Sequence, residues 1–167
     1  EYDIPPLYCL IKADETASRY IMTYFQESRV VLGYESLSYE EMRKMLSGGD
    51  RDEAHFLVCK GALPIGWLKL NGLSGEKAWI SMLIIGEKFR RQGAGEFAVK
   101  YAEAFVKAAG YNSLSLHTGE SNIYAQRFYE KYGFAKISEN KENKTLEYSK
   151  TFSIPEADNI IPIDKNN

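Results

Sequence analysis

The chain has 167 residues, of which 44% are hydrophobic and 26% charged, and its net charge is −2. That length suits one core of ordinary size and is short for two; the composition is that of a globular protein, and the weak net charge argues against the basic face that a nucleic-acid binder needs. No apolar run approaches the roughly 18 residues of a membrane span and no basic-then-apolar segment opens the chain, so a cytoplasmic protein with neither nucleic acid nor membrane as partner is expected.

Leu7 to Ile11 reads as a first strand, and Asp14 as the cap of a helix reaching about Ser28. Ser38 and Glu41 have the spacing of a capping box, which starts a second helix ending near Gly48. The loop that follows carries Asp50, Asp52 and Glu53. His55 to Lys60 and Ile65 to Leu70 form a hairpin across Gly61-Ala62-Leu63-Pro64, and Ala78 to Ile85 a long strand. A helix from Ala94 to Ala109 carries Ala94, Phe97, Ala98, Tyr101, Phe105 and Ala108 at helical spacing, and Gly110 ends it. Ser113 to Thr118 is a strand, Ser121 the expected cap of the next helix, and Gly133 its left-handed end. Ala135 to Asn140 and Lys144 to Phe152 make a last hairpin. The expected organisation is one domain over residues 1–152 and a tail over 153–167. Cys9 and Cys59 lie in apolar strand-like runs and read as reduced thiols. With two Cys and two His no zinc spacing exists, and no metal is expected.

Two segments carry chemistry. Arg90-Arg91-Gln92-Gly93-Ala94-Gly95 lies between a strand and a helix. Its glycines let consecutive backbone N–H groups turn toward one anion, and the helix start adds positive potential. Paired guanidinium groups supply the counter-charge of a pyrophosphate. Gly93 to Ala98 also fits the loose dinucleotide pattern. However, Gly86 to Gln92 separate it from its strand, and no acidic residue ends Leu114 to Thr118 to hold a ribose. Gly95-Glu96 is not the end of a Walker A loop. The second segment, Asn122 to Phe134, places Ala125, Phe128, Tyr129 and Tyr132 on one helix stripe, with Asn122 at the start.

Together these segments resemble motifs A and B of the GNAT superfamily of acyl-CoA N-acyltransferases, Gln/Arg-x-x-Gly-x-Gly/Ala and Asn-x-x-Ala-x-x-Phe-Tyr-x-x-x-Gly-Phe. The chain departs from the usual form in having Arg91 where Gly is common and Glu87 where Pro is common. The resemblance implies a mixed α/β three-layer domain. Its sheet is predominantly antiparallel with helices on both faces, and two central strands, Ala78–Ile85 and Ser113–Thr118, splay to admit the pantetheine arm.

The resemblance further implies acetyl-CoA as acyl donor and attack by a primary amine within a ternary complex. Tyr129 is the implied general acid for the departing thiolate. The implied cofactor contacts are Leu83, Ile84 and Ile85 along the strand, Arg90, Arg91, Gln92, Gly93, Ala94, Gly95 and Glu96 around the phosphates, and Asn122 and Tyr129 on the arm. The strand residues would also polarise the thioester carbonyl. Many relatives carry a glutamate on the strand that here reads Trp79-Ile80-Ser81-Met82, so the base is open between ordered water, Ser81 and His117.

In this fold the acceptor is held by the first two helices, here rich in Tyr20, Tyr24, Phe25, Tyr34 and Tyr39, with the acids of the next loop as a lining suited to a cation. Small-molecule amines and peptide N-termini both fit, and the protein is expected as a monomer or homodimer. A non-catalytic acyl-CoA-binding sensor is the alternative; it would keep the loop and have no need of Tyr129.

Overall fold

The computed structural model describes residues 7–153. The expected tail from 154 onward lies outside them. A seven-stranded sheet runs in the order β1-β2-β3-β4-β5-β7-β6. Its strands are β1 (Tyr8–Lys12), β2 (Ala54–Lys60), β3 (Leu63–Asn71), β4 (Ala78–Ile85), β5 (Ser113–Gly119), β6 (Ala135–Asn140) and β7 (Thr145–Thr151). Every neighbouring pair is antiparallel except β4 and β5.

Helices cover both faces. On one side α1 (Ser18–Leu32) and α2 (Tyr39–Leu46) bury Ile21, Phe25, Met42 and Leu46 against Leu57, Trp67, Met82 and Ile84. On the other, α3 (Ala94–Ala108) and α4 (Ile123–Lys131) pack on Leu68, Leu70, Ile80, Leu114 and Leu116. Each fully buried large aliphatic contributes roughly 1.5–3 kcal/mol from removed apolar surface, so these two layers clamp the sheet between them.

Local signals explain most boundaries. The capping box is complete: Ser38 Oγ accepts from Glu41 N, and the Glu41 carboxylate accepts from Ser38 N. Asp14 caps a short 3₁₀ turn, Glu15–Ala17, from which α1 continues to Leu32, past the expected end near Ser28, and stops at a left-handed Gly33. Two expectations need correction. The buried stripe of α3 is Ala94, Ala98, Val99, Ala102 and Val106, with Phe97, Tyr101 and Phe105 flanking it and Ala108 exposed. The cap of α4 is Asn122, whose Oδ1 accepts from Ala125 N at 3.2 Å, and not Ser121.

Two irregularities position the site. Lys69 pairs with Met82 and Leu70 with Ile80, so Ser81 is an extra residue in β4, and the bulge turns the strand's alternation over. Ala78 and Ile80 therefore face α3, whereas Met82 and Ile84 face α1 and α2. Beyond the bulge β4 also leaves β5. The parallel ladder covers only Ala78↔Leu114, Trp79↔Ser115 and Ile80↔Leu116. From Ser81 to Ile85 the strand is bonded to β3 alone, and every second residue turns its backbone N–H and C=O into a gap. The implied splay is thus present.

Beneath α1 lies a buried polar group with a pH signature. Trp67 Nε1 donates to His55 Nδ1 at 3.3 Å, which leaves His55 Nε2 to donate to Glu53 Oε2 at 3.1 Å; Lys69 Nζ reaches the other Glu53 oxygen at 2.7 Å. Burial pushes the His55 imidazole below its ordinary 6.5, against the pull of Glu53. Burial opposes ionisation of Glu53, yet the hydrogen bonds from Lys69 and His55 hold its carboxyl below the ordinary 4.5.

Both shifts have one sign. The unfolded chain binds these protons more readily, so stability is complete above pH 6.5 and falls as acid passes first through the His55 range and then the Glu53 range. Denaturant unfolding from pH 7.5 to 5.0 is expected to show that first decline, and His55→Phe to remove it. An equal slope in the variant would assign the decline elsewhere.

Candidate active site

The loop after β4 builds the first half of the site. A short 3₁₀ turn, Glu87–Phe89, leads into Arg90 and Arg91, and α3 begins at Ala94 with Gly93 as its cap residue in left-handed geometry, φ 94°. No side chain caps this helix, unlike α2 and α4. The first intrahelical bond is Phe97 N to Gly93 O, so the amides of Ala94, Gly95 and Glu96 lack an intrahelical acceptor, and the positive end of α3 stands bare. Tyr8 fixes the loop from below, its hydroxyl donating to Gln92 O at 2.6 Å. The Gln92 side chain donates to Lys88 O and accepts from Lys60 Nζ.

The two arginines diverge. Arg90 turns back: its Nε donates to Ile85 O at 2.7 Å and its guanidinium to Ser28 Oγ at 2.9 Å, which ties the loop to α1. Arg91 sits at φ 58°, a left-handed conformation that costs a side-chain-bearing residue about 1 kcal/mol and explains why glycine is common there. Its guanidinium lies 5.9 Å from the Tyr124 ring centre at the start of α4.

The structure joins the two sequence segments directly. A Cβ built on Gly95 would stand 3.1 Å from Phe128 Cζ, so α3 approaches α4 as closely as only a glycine allows without displacing the ring. Tyr132 donates to Glu96 Oε2 at 3.4 Å across the same junction; the other Glu96 oxygen meets Lys100 at 2.8 Å. Tyr129, the one buried residue of α4, packs edge-on against Phe128 and Phe134. Its hydroxyl makes no hydrogen bond among the described residues, and burial pushes the phenol far above its ordinary 10. It is therefore a neutral proton donor throughout the physiological range. Asn122 stands at the head of the same helix, and Leu83 to Ile85 line the gap.

The expected acceptor lining is differently employed. Asp50 accepts from Asp52 N; Asp52 accepts from Gly72 N, Ser74 N and Ser74 Oγ, pinning the β3–β4 turn; Glu53 serves His55 and Lys69. The acids that suggested a cation site are structural. Phe25 is core, and Tyr24 donates to Pro64 O; Tyr20, Tyr34 and Tyr39 are about half exposed. Ser81 donates to Lys69 O at 3.3 Å.

A sequence profile, the Acetyltransferase (GNAT) family, matches residues 14–134. The chain belongs to that family. No curated protein matches the sequence. Among solved structures, an acetyltransferase from Thermus thermophilus is similar to this GNAT chain with a TM-score of 0.76 at 21% identity, over 88% of this chain and 98% of that one. The PaiA N-acetyltransferase of Thermoplasma acidophilum in complex with coenzyme A gives 0.75 at 18% identity, over 87% and 99%. A spermidine N-acetyltransferase variant from Vibrio cholerae gives 0.73 at 17%, over 87% and 94%. At these identities the likeness is one of fold, and it extends over nearly the whole of each relative. Among the described residues no cluster of three or more His, Cys, Asp or Glu could hold a metal, and no helix is long and apolar enough to cross a membrane.

Proposed function

We propose that this GNAT protein transfers an acetyl group from acetyl-CoA to a primary amine by direct attack in a ternary complex. The observation that carries this reading is the gap beyond Ile80, with the bare start of α3 and the unpartnered Tyr129 hydroxyl on the same side of the sheet. The amides from Gly93 to Glu96, with Arg91 beside them, suit a pyrophosphate. Backbone groups of Leu83 to Ile85 suit the amide-bearing pantetheine arm and can polarise a thioester carbonyl. Asn122 Oδ1 is engaged by its own helix, which leaves its amide donors for the arm.

Tyr129 then protonates the departing thiolate. Burial that raises the phenol raises a thiolate beside it in the same direction, so donor and acceptor stay matched. That the complexed relative binds coenzyme A supports the donor, and the spermidine enzyme supports an amine acceptor. Thiol release from acetyl-CoA, followed across a panel of alkylamines, amino sugars and peptide N-termini, tests the reading. Release that depends on one of these amines is expected. Tight acetyl-CoA binding with no release across the panel would replace it with the sensor.

A further inference from the structure

We infer that Cys9 and Cys59 close into a reversible disulfide that switches the Gly93–Glu96 loop, weakening its hold on coenzyme A; the second half rests on the reading of that loop as the phosphate site. The two residues stand directly opposite each other on β1 and β2, and both are free thiols. Their side chains share the sheet face turned toward α1 and α2, where Cys59 is buried in the core and Cys9 packs beside it, partly exposed. Burial pushes the Cys59 thiol above its ordinary 9.0, and the neighbouring Cys9 thiol raises it further.

The rung is near enough to bond and too wide to bond without moving. Gly61 N donates to Leu7 O and Ala13 N to His55 O, two and four rungs away, so Cys9 and Cys59 are a hydrogen-bonded pair of the ladder. Such pairs hold their Cα atoms about 5.5 Å apart, inside the range of disulfides, but their Cβ atoms stand ~5 Å apart where a disulfide needs about 3.8 Å. Closure therefore draws the strands together by about an ångström. Both sides of the rung can give. β1 is the edge of the sheet, and Cys59 faces Pro64, which has no N–H to tie it to β3, at a bulge where Ile65 is the extra residue.

The next rung is the floor of the loop. Tyr8 pairs with Lys60, and both side chains emerge on the opposite face of the sheet. Tyr8 Oη donates to Gln92 O at 2.6 Å, and Lys60 Nζ donates to Gln92 Oε1 at 3.1 Å. Tyr8 also packs on Phe97 in the first turn of α3. A shift of β1 against β2 at Cys9 thus displaces both supports of Gln92, the residue before Gly93.

The bond forms by thiol–disulfide exchange with a small disulfide. The Cys9 thiolate, the accessible one, attacks one sulfur of the oxidant and expels its other half as a thiolate. Cys59 then loses its proton and attacks the Cys9 sulfur, expelling the second half. The protein gives up two protons and two electrons, and the oxidant leaves as two thiols.

The test places the full chain in glutathione buffers of rising oxidised share, with mass spectrometry of the acid-quenched protein and calorimetry with coenzyme A. The expected product is a monomer two hydrogens lighter, with Cys9 joined to Cys59. It should bind coenzyme A about tenfold more weakly, an ordinary scale for coupled sites, and recover on reduction. Linkage requires coenzyme A in turn to raise the oxidised share needed for half-closure by the same factor. Cys59→Ser is expected to stop at a single glutathione adduct on Cys9. In the wild type, adducts on both thiols, a disulfide-linked dimer, or no reaction would overturn the disulfide. Closure with unchanged affinity would overturn its link to the loop. A protein that closes the disulfide but binds coenzyme A in neither state would instead overturn the phosphate reading of the loop and leave the disulfide standing.

Discussion

Tyr129→Phe is expected to lower turnover by ~10²-fold or more while the protein stays folded and acetyl-CoA affinity holds, because the ring keeps its contacts with Phe128 and Phe134 and only the proton donor is lost. Stopped assays at saturating amine read the loss in kcat, and calorimetry reads the unchanged affinity. The pH dependence has a definite form. A phenol raised far above 10 by burial stays protonated across the working range, so any alkaline limb below pH 10 belongs to another group and persists in the variant. The same shift makes the phenol's contribution to stability complete below about pH 10 and lost as pH climbs through the folded value. A folded variant with wild-type kcat on a true acceptor would return Tyr129 to a packing role.

Gly95→Asp is expected to abolish coenzyme A binding, and Gly95→Ala to weaken it modestly. Both substitutions add a Cβ against Phe128, which must yield by a few tenths of an ångström. Only aspartate also sets a negative charge at the bare amides of α3, where an anion is to bind. The pair therefore separates crowding from charge. Calorimetry with coenzyme A checks it: equal affinities for the two variants would remove the phosphates from this loop, and NADH binding tighter than acetyl-CoA binding would favour the dinucleotide reading.

The sequence carried the periodic and the punctuated features well. β4 and β6 run over the expected residues, and the Ser38–Glu41 capping box is complete, because these depend on a few adjacent side chains. The α3 stripe was misjudged for a physical reason. Large aromatics at helical spacing look like a core face, but a helix that lies close on a sheet buries its small residues, Ala98 and Ala102, and lets Tyr101 and Phe105 flank the contact. Adjacent Ser121 and Asn122 both suit a cap, and only backbone geometry chooses between them.

The candidate loop was legible where local geometry demanded a small residue: Gly93 takes a left-handed φ of 94°, and Gly95 leaves room for the Phe128 ring. It was not legible where a side chain's partner lies far along the chain. Nothing near Arg90 reveals Ser28, and nothing near Asp52 reveals Ser74. The fork of the sheet likewise depends on pairing between distant strands and entered only through the family resemblance.

That fork divides the sheet into two unequal plates, β1 to β4 on one side and β5, β7 and β6 on the other, riveted along their shared border by a ladder three residues long and backed by α3. An extended ligand arm with amide groups of its own, lying in the wedge as the proposed reaction requires, would act as a guest strand along the border from Ser81 to Ile85. On the proposed reaction the border would be better bonded with the arm in place than after it has gone, which ties product release to the part of β4 that has no partner strand on that side.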